Sequence, residues 1–247
     1  HLHKLAVEIC QLPICSTTNH AAAAYIRGVL QSAGQDVHEQ RIDCPQWTRH
    51  GARLEVDGAA LSVAANPFSP ACDVVAPLIA AGTLAELQAA DLGGRIVVLH
   101  GELSREPLIP THCLLYNTAR DQAINQRLID ERPAAVIMVN LQPGGLTCLI
   151  EDWNLPVPSA TVPAEVGRCL LENLGRAAHL RVDTETAPGY STNIVGRRAG
   201  RRSTQLVVCA HYDTKLDTPG ALDNGGGAAA LLALAQPHPP HEMNIGL

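Results

Sequence analysis

The sequence predicts an α/β protein, with a mostly parallel, doubly wound sheet that is interrupted by a smaller β-rich insertion. The first observation is a continuous apolar run at residues 206–210, which suits a strand buried on both faces of a parallel sheet. This run also leads through a polar loop into a Gly-rich helix start, a common arrangement at strand ends in α/β sheets. Between residues 54 and 185, short strand patterns alternate with Gly- and Pro-rich turns, which favours a separate unit.

The N-terminal segment predicts two helices and a strand. Apolar residues three or four positions apart indicate a short amphipathic helix over residues 2–12, which Pro13 ends. Ser, Thr and Asn side chains offer an N-cap for a second helix over residues 20–33, and Gly34 closes it. An alternating segment over residues 37–42 then predicts a strand.

The remaining elements fall into two groups. In the middle of the chain we predict strands at residues 54–56, 61–64, 96–99 and 136–139, and helices at residues 118–131 and 163–174. Towards the C-terminus we predict strands at residues 192–195 and 206–210, a loop over 211–224 and a helix over 226–236. We therefore expect one α/β domain built from residues 1–53 and 186–247, with residues 54–185 inserted in it.

Composition and charge exclude several classes of protein. Apolar residues make up 46% of the chain and charged residues 17%, so we expect a packed core rather than a disordered chain. The net charge is −6 and no basic cluster is long enough to follow a phosphate backbone, so we expect no nucleic-acid partner. No apolar run reaches the ~18 residues of a membrane span, so we expect no membrane partner. The oligomeric state is not predicted.

The eight cysteines are scattered and form no C-x-x-C pair, which argues against a structural zinc knuckle. Several of them, such as Cys209, stand in apolar runs, where cysteine behaves as a small hydrophobic residue. The even count permits disulfides, but the sequence does not identify their pairing. We expect mostly reduced thiols, which favours a cytoplasmic protein.

One constellation of residues could carry chemistry. His211 and Asp213 are two positions apart in an extended segment, so their side chains can share a face. An imidazole can bind a divalent metal while a nearby carboxylate fixes its tautomer, and Asp223 could supply a second ligand or bridge two metals. The alternative is that this spacing arose by chance and that the glycines after Asp223 form a flexible turn. The absence of a G-x-G-x-x-G pattern or a Walker lysine argues against nucleotide binding.

The longer sequence around His211 and Asp223 favours a metal site over a chance spacing. The sequence reads CAHYDT at residues 209–214 and GALDNGGGAAALLALA at residues 220–235. This closely resembles the signature of the co-catalytic di-zinc aminopeptidases, a family that includes glutamate carboxypeptidases, glutaminyl cyclases and the transferrin receptor. Residues 191–196 resemble the strand that precedes the signature. The resemblance covers about residues 1–45 and 188–247, and it implies the zinc-aminopeptidase fold.

The resemblance also implies roles for single residues. His211 resembles a ligand of one zinc ion, and Asp223 resembles the carboxylate that bridges two zinc ions. Asp213 resembles the acid that orients His211 and is not itself a ligand. A cis peptide is implied between Asp223 and Asn224. The implied activity is that of a metallo-aminopeptidase, a hydrolase that removes N-terminal residues from a peptide substrate through water activated by two zinc ions.

The sequence departs from the family pattern beyond Asp223. A general-base Glu and three further metal ligands should follow the next strand, which begins near Met243. The titratable residues left are His238, His241 and Glu242, which fit no zinc-protease motif and are interpreted as a solvated loop. We therefore expect an N-terminal fragment with a half-built site that is inactive by itself.

The middle segment has a resemblance of its own. Residues 91–99, 134–140 and 155–158 are similar to a protease-associated domain, and the alternative is an unrelated β-rich insertion. For the whole chain the alternatives to a peptidase are a non-catalytic binding homologue on the same scaffold and a glutaminyl cyclase-like enzyme. The preferred substrate residue, and the choice between aminopeptidase and carboxypeptidase, stay open.

Overall fold

The chain divides into two compact units. The computed structural model describes residues 1–113, 116–142, 146–200, 204–236 and 244–246. The continuous unit is Trp47–Thr186, and the discontinuous unit is formed by His1–Gln46 together with Ala187–Leu247. The boundaries of the continuous unit thus lie seven residues before and one residue after those of the predicted insertion, residues 54–185.

The described residues contain five α-helices and ten strands. The helices are α1 (Thr17–Ser32), α2 (Leu84–Ala89), α3 (Ala119–Glu131), α4 (Ala164–Glu172) and α5 (Gly226–Leu234). The strands are β1 (Asp36–Val56), β2 (Ala59–Leu61), β3 (Ala64–Ala65), β4 (Cys72–Ala81), β5 (Ile96–Leu99), β6 (Ala135–Asn140), β7 (Ser159–Pro163), β8 (Ala177–Arg198), β9 (Gln205–Val207) and β10 (Asn244–Gly246). Short π-helical turns at Lys4–Ile9 and Ala221–Gly225 and a 3-10 turn at Gly101–Ser104 complete the elements.

The predicted α/β class is confirmed, and the four-stranded parallel part of the sheet lies in the continuous unit. The strand order is β2-β1-β8-β4-β5-β6-β7-β3, in which β4, β5, β6 and β7 run parallel to one another. β4 is antiparallel to β8, and β3 is antiparallel to β7. Parallel strands need crossover connections, and α3 supplies the one between β5 and β6.

Alternate residues of the central strands build two cores in the continuous unit. In β5 and β6, Ile96 and Ile137 belong to the core that includes Val166 and Leu170 of α4. Their neighbours in sequence contribute to a second core, which contains Leu87 of α2 and Ile124 and Leu128 of α3. Successive side chains of a strand point to opposite faces, so helices cover the sheet on both sides, as in a doubly wound fold.

The discontinuous unit has a core of its own, made by helices from both ends of the chain. Ile26 and Leu30 of α1 pack with Ala228 and Leu232 of α5, together with Leu5 of the first π-helical turn. The side chain of Ser16 caps α1 by accepting a hydrogen bond from the backbone N–H of Asn19 at 3.0 Å. The described helices include none that is long and apolar enough to cross a bilayer.

The expectation of a central buried strand at residues 206–210 is wrong for this structure. The strand is shorter, Gln205–Val207, and the side chains of Leu206 and Val207 are 45% and 73% exposed. It pairs in parallel with β10 and borders a cavity of about 860 Å³ that Leu30 and Leu232 also line. An apolar run shows only which side chains are present, whereas their burial depends on what packs against them. Here Val207 borders the cavity instead of a packed layer.

Candidate metal site

The loop that carries His211 and Asp213 is tied to the N-terminal segment. The backbone N–H of Leu12 donates to the Thr214 hydroxyl at 2.8 Å, and the N–H of Thr214 donates to the Leu12 carbonyl at 3.1 Å. Leu12 and Thr214 are both buried. Since both bonds are shielded from water, they hold the loop firmly at the position just after Asp213.

Tyr212 fixes the same loop to strand β8. Its hydroxyl donates to the carbonyl of Thr192 at 2.7 Å, and its ring packs against the core of the discontinuous unit. Burial raises the pKa of the Tyr212 phenol above its ordinary value, so the hydroxyl remains a hydrogen-bond donor at neutral pH. With Tyr212 turned inward, His211 and Asp213 on either side of it are left facing solvent.

The second half of the site is the turn that opens helix α5. The Asp223–Asn224 peptide is cis, as the resemblance implies. The Asn224 side-chain oxygen accepts a hydrogen bond from the N–H of Gly227 at 3.2 Å, and a Cβ at Gly227 would lie 2.2 Å from that oxygen. Gly220 has a φ of +59°, and a Cβ there would lie 2.2 Å from Cγ2 of Thr214. These close approaches explain why glycines stand on both sides of Asp223.

The structure brings the three sequence-predicted residues together. His211 Nε2 lies 3.0 Å from Asp223 Oδ1. The other ring nitrogen, Nδ1, lies 3.2 Å from the Asp213 carbonyl oxygen and 3.5 Å from its carboxylate Oδ1. Asp213 therefore lies on the Nδ1 side of the His211 ring, and Asp223 lies on its Nε2 side. The three side chains are 50 to 81% exposed, so a ligand can reach them.

The His211–Asp223 pair fits two corners of a zinc site. Two ligands at about 2.0–2.2 Å from one tetrahedral zinc ion are about 3.4 Å apart, close to the separation of Nε2 and Oδ1. Imidazole nitrogen and carboxylate oxygen are both normal zinc ligands. Within the described parts of the chain, no group of three or more His, Cys, Asp or Glu side chains could hold a metal ion. His238, His241 and Glu242 lie outside the described residues.

Sequence reasoning missed the residues that position the pair. Thr214 and Asn224 were not assigned a positioning role, although Thr214 anchors the loop and the Asn224 side chain accepts a hydrogen bond from the N–H of Gly227 in the first turn of α5. Asn224 had a local signal, since Asn side chains commonly accept hydrogen bonds from backbone N–H groups at helix starts. Thr214 had none, because its partner Leu12 is 202 residues away.

Comparison with known proteins supports a peptidase scaffold. Residues 193–242, which contain the whole site, match the family model described as peptidase family M28. No curated protein is similar to the chain in sequence.

Three solved structures share the fold. The structure of BSAP, a zinc aminopeptidase from Bacillus subtilis, matches with a TM-score of 0.74 at 22% identity, over 99% of this chain and 58% of that one. An aminopeptidase from Aneurinibacillus sp. strain AM-1 matches with a TM-score of 0.73 at 19% identity, over 99% and 60%. A peptidase M28 precursor from Shewanella amazonensis SB2B matches with a TM-score of 0.69 at 18% identity, over 99% and 61%.

The chain thus spans about three fifths of the length of these proteins. The resemblance to the di-zinc aminopeptidase family is confirmed, since residues 193–242 carry the pattern of peptidase family M28 on a fold shared with solved aminopeptidases.

Proposed function

We propose that this chain contributes His211 and Asp223 to the zinc site of a metallo-aminopeptidase that removes N-terminal residues from peptides. The observation that carries the proposal is the 3.0 Å approach of His211 Nε2 to Asp223 Oδ1, inside the segment that matches peptidase family M28. The fold shared with solved aminopeptidases supports the reaction class. The proposal assigns two zinc ions as cofactor and a peptide as substrate.

Asp213 positions His211 for this role. With its proton on Nδ1, the imidazole donates to the Asp213 carbonyl oxygen and lies close to the Asp213 carboxylate, which leaves Nε2 as the ligand atom. Asp223 then offers a carboxylate with two oxygens, the ligand type that can bridge two ions. A bound zinc ion would supply Lewis acidity and water activation.

Both ring nitrogens of His211 face oxygen acceptors, so a proton competes with a metal ion at Nε2. Zinc can bind at Nε2 only when that nitrogen carries no proton, so the imidazole proton must then be on Nδ1. Zinc affinity is therefore expected to fall as the solution becomes more acidic.

Zinc titration of the purified 247-residue protein tests the pair. Two protein ligands are fewer than the three usual at a catalytic site, so we expect weak binding that a chelator reverses. His211→Ala and Asp223→Ala should each abolish it. His38→Ala is the matched control, because His38 pairs with Asp36 at 3.1 Å with the same two-residue spacing. Zinc binding that survives His211→Ala would refute the assignment, and no zinc binding at all would favour a non-catalytic binding homologue.

Hydrolysis of aminoacyl anilides tests the reaction. Because no third donor joins the pair within the described residues, we expect the 247-residue protein with added zinc to cleave them at the background rate. Hydrolysis that a chelator and His211→Ala both remove would show that other residues of this chain complete the site. It would contradict the half-site part of the proposal while supporting the aminopeptidase part.

We further propose that the continuous unit is a protease-associated-like insertion. Its support is the pair of cores that this unit builds from its own residues, together with its place in sequence between the two segments of the unit that contains His211 and Asp223. An insertion of this kind should fold when residues 47–186 are expressed without the rest of the chain.

A further inference from the structure

Two cysteines of the discontinuous unit lie face to face. The sulfur atoms of Cys15 and Cys44 are 2.8 Å apart, so a movement of less than about 1 Å would bring them to the ~2.05 Å of an S–S bond. Cys15 follows the first π-helical turn and is 3% exposed, whereas Cys44 is in strand β1 and half-buried. We infer that Cys15 and Cys44 are a modification site at which a reversible disulfide forms.

The surroundings of Cys15 direct its sulfur towards Cys44. A Cβ at Gly189 of strand β8 would lie 3.2 Å from Cys15 Cβ and 2.9 Å from Gln46 Cβ, so the three backbones are closely packed here. Cys15 itself has a φ of +65°, a left-handed conformation that few residues other than glycine adopt. The side chain of Cys15 is thus confined next to the Cys44 thiol.

The two thiols have different reactivity. Burial, together with the nearby Cys44 thiol, raises the pKa of the Cys15 thiol to about 12. The thiolate is the nucleophile in disulfide exchange, so Cys15 is a poor first attacker. Cys44 is partly accessible and is the sulfur that an external reagent reaches first.

The reaction balances with a small-molecule disulfide as the oxidant. The Cys44 thiolate attacks one sulfur of oxidised glutathione, forms a mixed disulfide and expels one glutathione thiolate. Cys15 then loses its proton to water and attacks the Cys44 sulfur, which expels the second glutathione thiolate. The two protein thiols lose two electrons in total, and oxidised glutathione is reduced to two thiols that take up the released protons.

The bond would fasten the segment that braces the candidate metal site. Cys15 is three residues after Leu12, whose backbone makes both hydrogen bonds to Thr214. The Thr18 hydroxyl also donates to the Gln11 carbonyl at 2.6 Å, within the same stretch. A disulfide to β1 would therefore add a covalent tie to the segment that makes this bracing contact, whereas in the reduced protein the hydrogen bonds alone hold it.

Peptide mapping of the wild-type 247-residue protein tests the inference. The protein is equilibrated in glutathione buffers from reducing to oxidising, free thiols are alkylated, and it is digested with trypsin without reduction. We expect oxidation to link the peptide of residues 5–27 to that of residues 42–49. Since residues 5–27 also contain Cys10, Cys10→Ser is the control that must keep the link, and Cys15→Ser and Cys44→Ser must each lose it.

Thermal unfolding gives a second readout. Closing a loop of about 30 residues should raise the unfolding midpoint of the oxidised protein by about 5–10 °C over the reduced protein. The shift should persist in Cys10→Ser and vanish in Cys15→Ser. Full alkylation of both Cys15 and Cys44 in the oxidising buffer would overturn the inference, and so would a link that survives in Cys15→Ser.

Discussion

Asp213 contacts His211 through two different oxygens, and the two can be separated by mutation. The backbone carbonyl, 3.2 Å from Nδ1, survives any side-chain change, whereas the carboxylate at 3.5 Å does not. Asp213→Asn should therefore weaken zinc binding by about 10-fold, within the 10–100-fold range for groups that orient a ligand. Competition with a chromogenic chelator measures this loss.

The control for Asp213→Asn is Asp36→Asn, which alters the exposed Asp36–His38 pair and should leave zinc binding unchanged. The size of the loss in zinc affinity shows whether Asp213 positions His211 or binds the metal itself. A loss as complete as that of His211→Ala would mean that Asp213 is itself a ligand, contrary to the assignment.

The buried thiol of Cys15 predicts a pH dependence. Its pKa is raised to about 12, so the thiolate fraction rises tenfold with each pH unit throughout the neutral and mildly alkaline range. In the reduced protein, alkylation of Cys15 by iodoacetamide should accelerate in this way from pH 7 to pH 9.5 without a plateau. Exposed Cys209 should react faster at neutral pH. A plateau for Cys15 below pH 9.5 would contradict the raised pKa.

The sequence identified His211, Asp213 and Asp223 because they lie within thirteen residues and form a local pattern. The structure places them together, with His211 between the two carboxylates. What the sequence could not reveal is the support from Leu12 and Thr214, because that contact depends on the folding of the whole discontinuous unit.

Helix α4 packs on strand β6 at a distance that only glycine permits. A Cβ at Gly167 would lie 2.3 Å from Cγ1 of Val139, too close for any real contact. Gly167→Ala should therefore lower the free energy of unfolding of the continuous unit by about 1–3 kcal/mol, the usual cost of overpacking. Urea unfolding followed by circular dichroism measures the change.

Gly28→Ala is the matched control, because Gly28 is also in a helix interior but a Cβ there would meet nothing within 4 Å. At that position the better helix propensity of alanine should raise stability by about 0.5–1 kcal/mol. If Gly167→Ala stabilised the protein as Gly28→Ala does, the close approach of α4 to β6 would be disproved.

The sequence predicted the bounds of helices α1 and α3 better than those of the long strand β1. α1 and α3 each combine a capping side chain with apolar periodicity, and both were predicted within three residues of their observed bounds. Strand β1 was predicted only at its two ends, because Pro45 and Gly51 interrupt it and its exposed side chains are mostly polar. Such a strand is held by its ladder partners, which local sequence does not identify.

At the scale of the whole molecule, the two units carry separate cores, and this predicts independent folding of the continuous one. Residues 47–186 expressed alone should unfold in one cooperative transition, as expected for a single domain of this size. The fluorescence of Trp47 should change in this transition, since its indole N–H donates to the Ser69 carbonyl at 3.0 Å and its ring contacts Phe68. Trp fluorescence and circular dichroism should give coincident urea transitions.

Residues 54–185 test the boundary that the sequence predicted. This shorter segment lacks Trp47 and both of its contacts, so it should be less stable than residues 47–186 by about 1–3 kcal/mol. Equal stability would place the edge of the unit at residue 54, and failure of both segments to fold would show that the continuous unit depends on the rest of the chain.

The discontinuous unit has a consequence for the order of events during translation. Helix α1 ends at residue 32 and its packing partner α5 begins at residue 226, so the ribosome adds about 190 residues between them. At about 5–20 residues per second this takes roughly 10–40 s. Throughout that interval Ile26 and Leu30 lack the neighbours that later bury them. The speed of elongation through residues 47–186 thus sets how long a nascent chain presents this apolar helix face to chaperones.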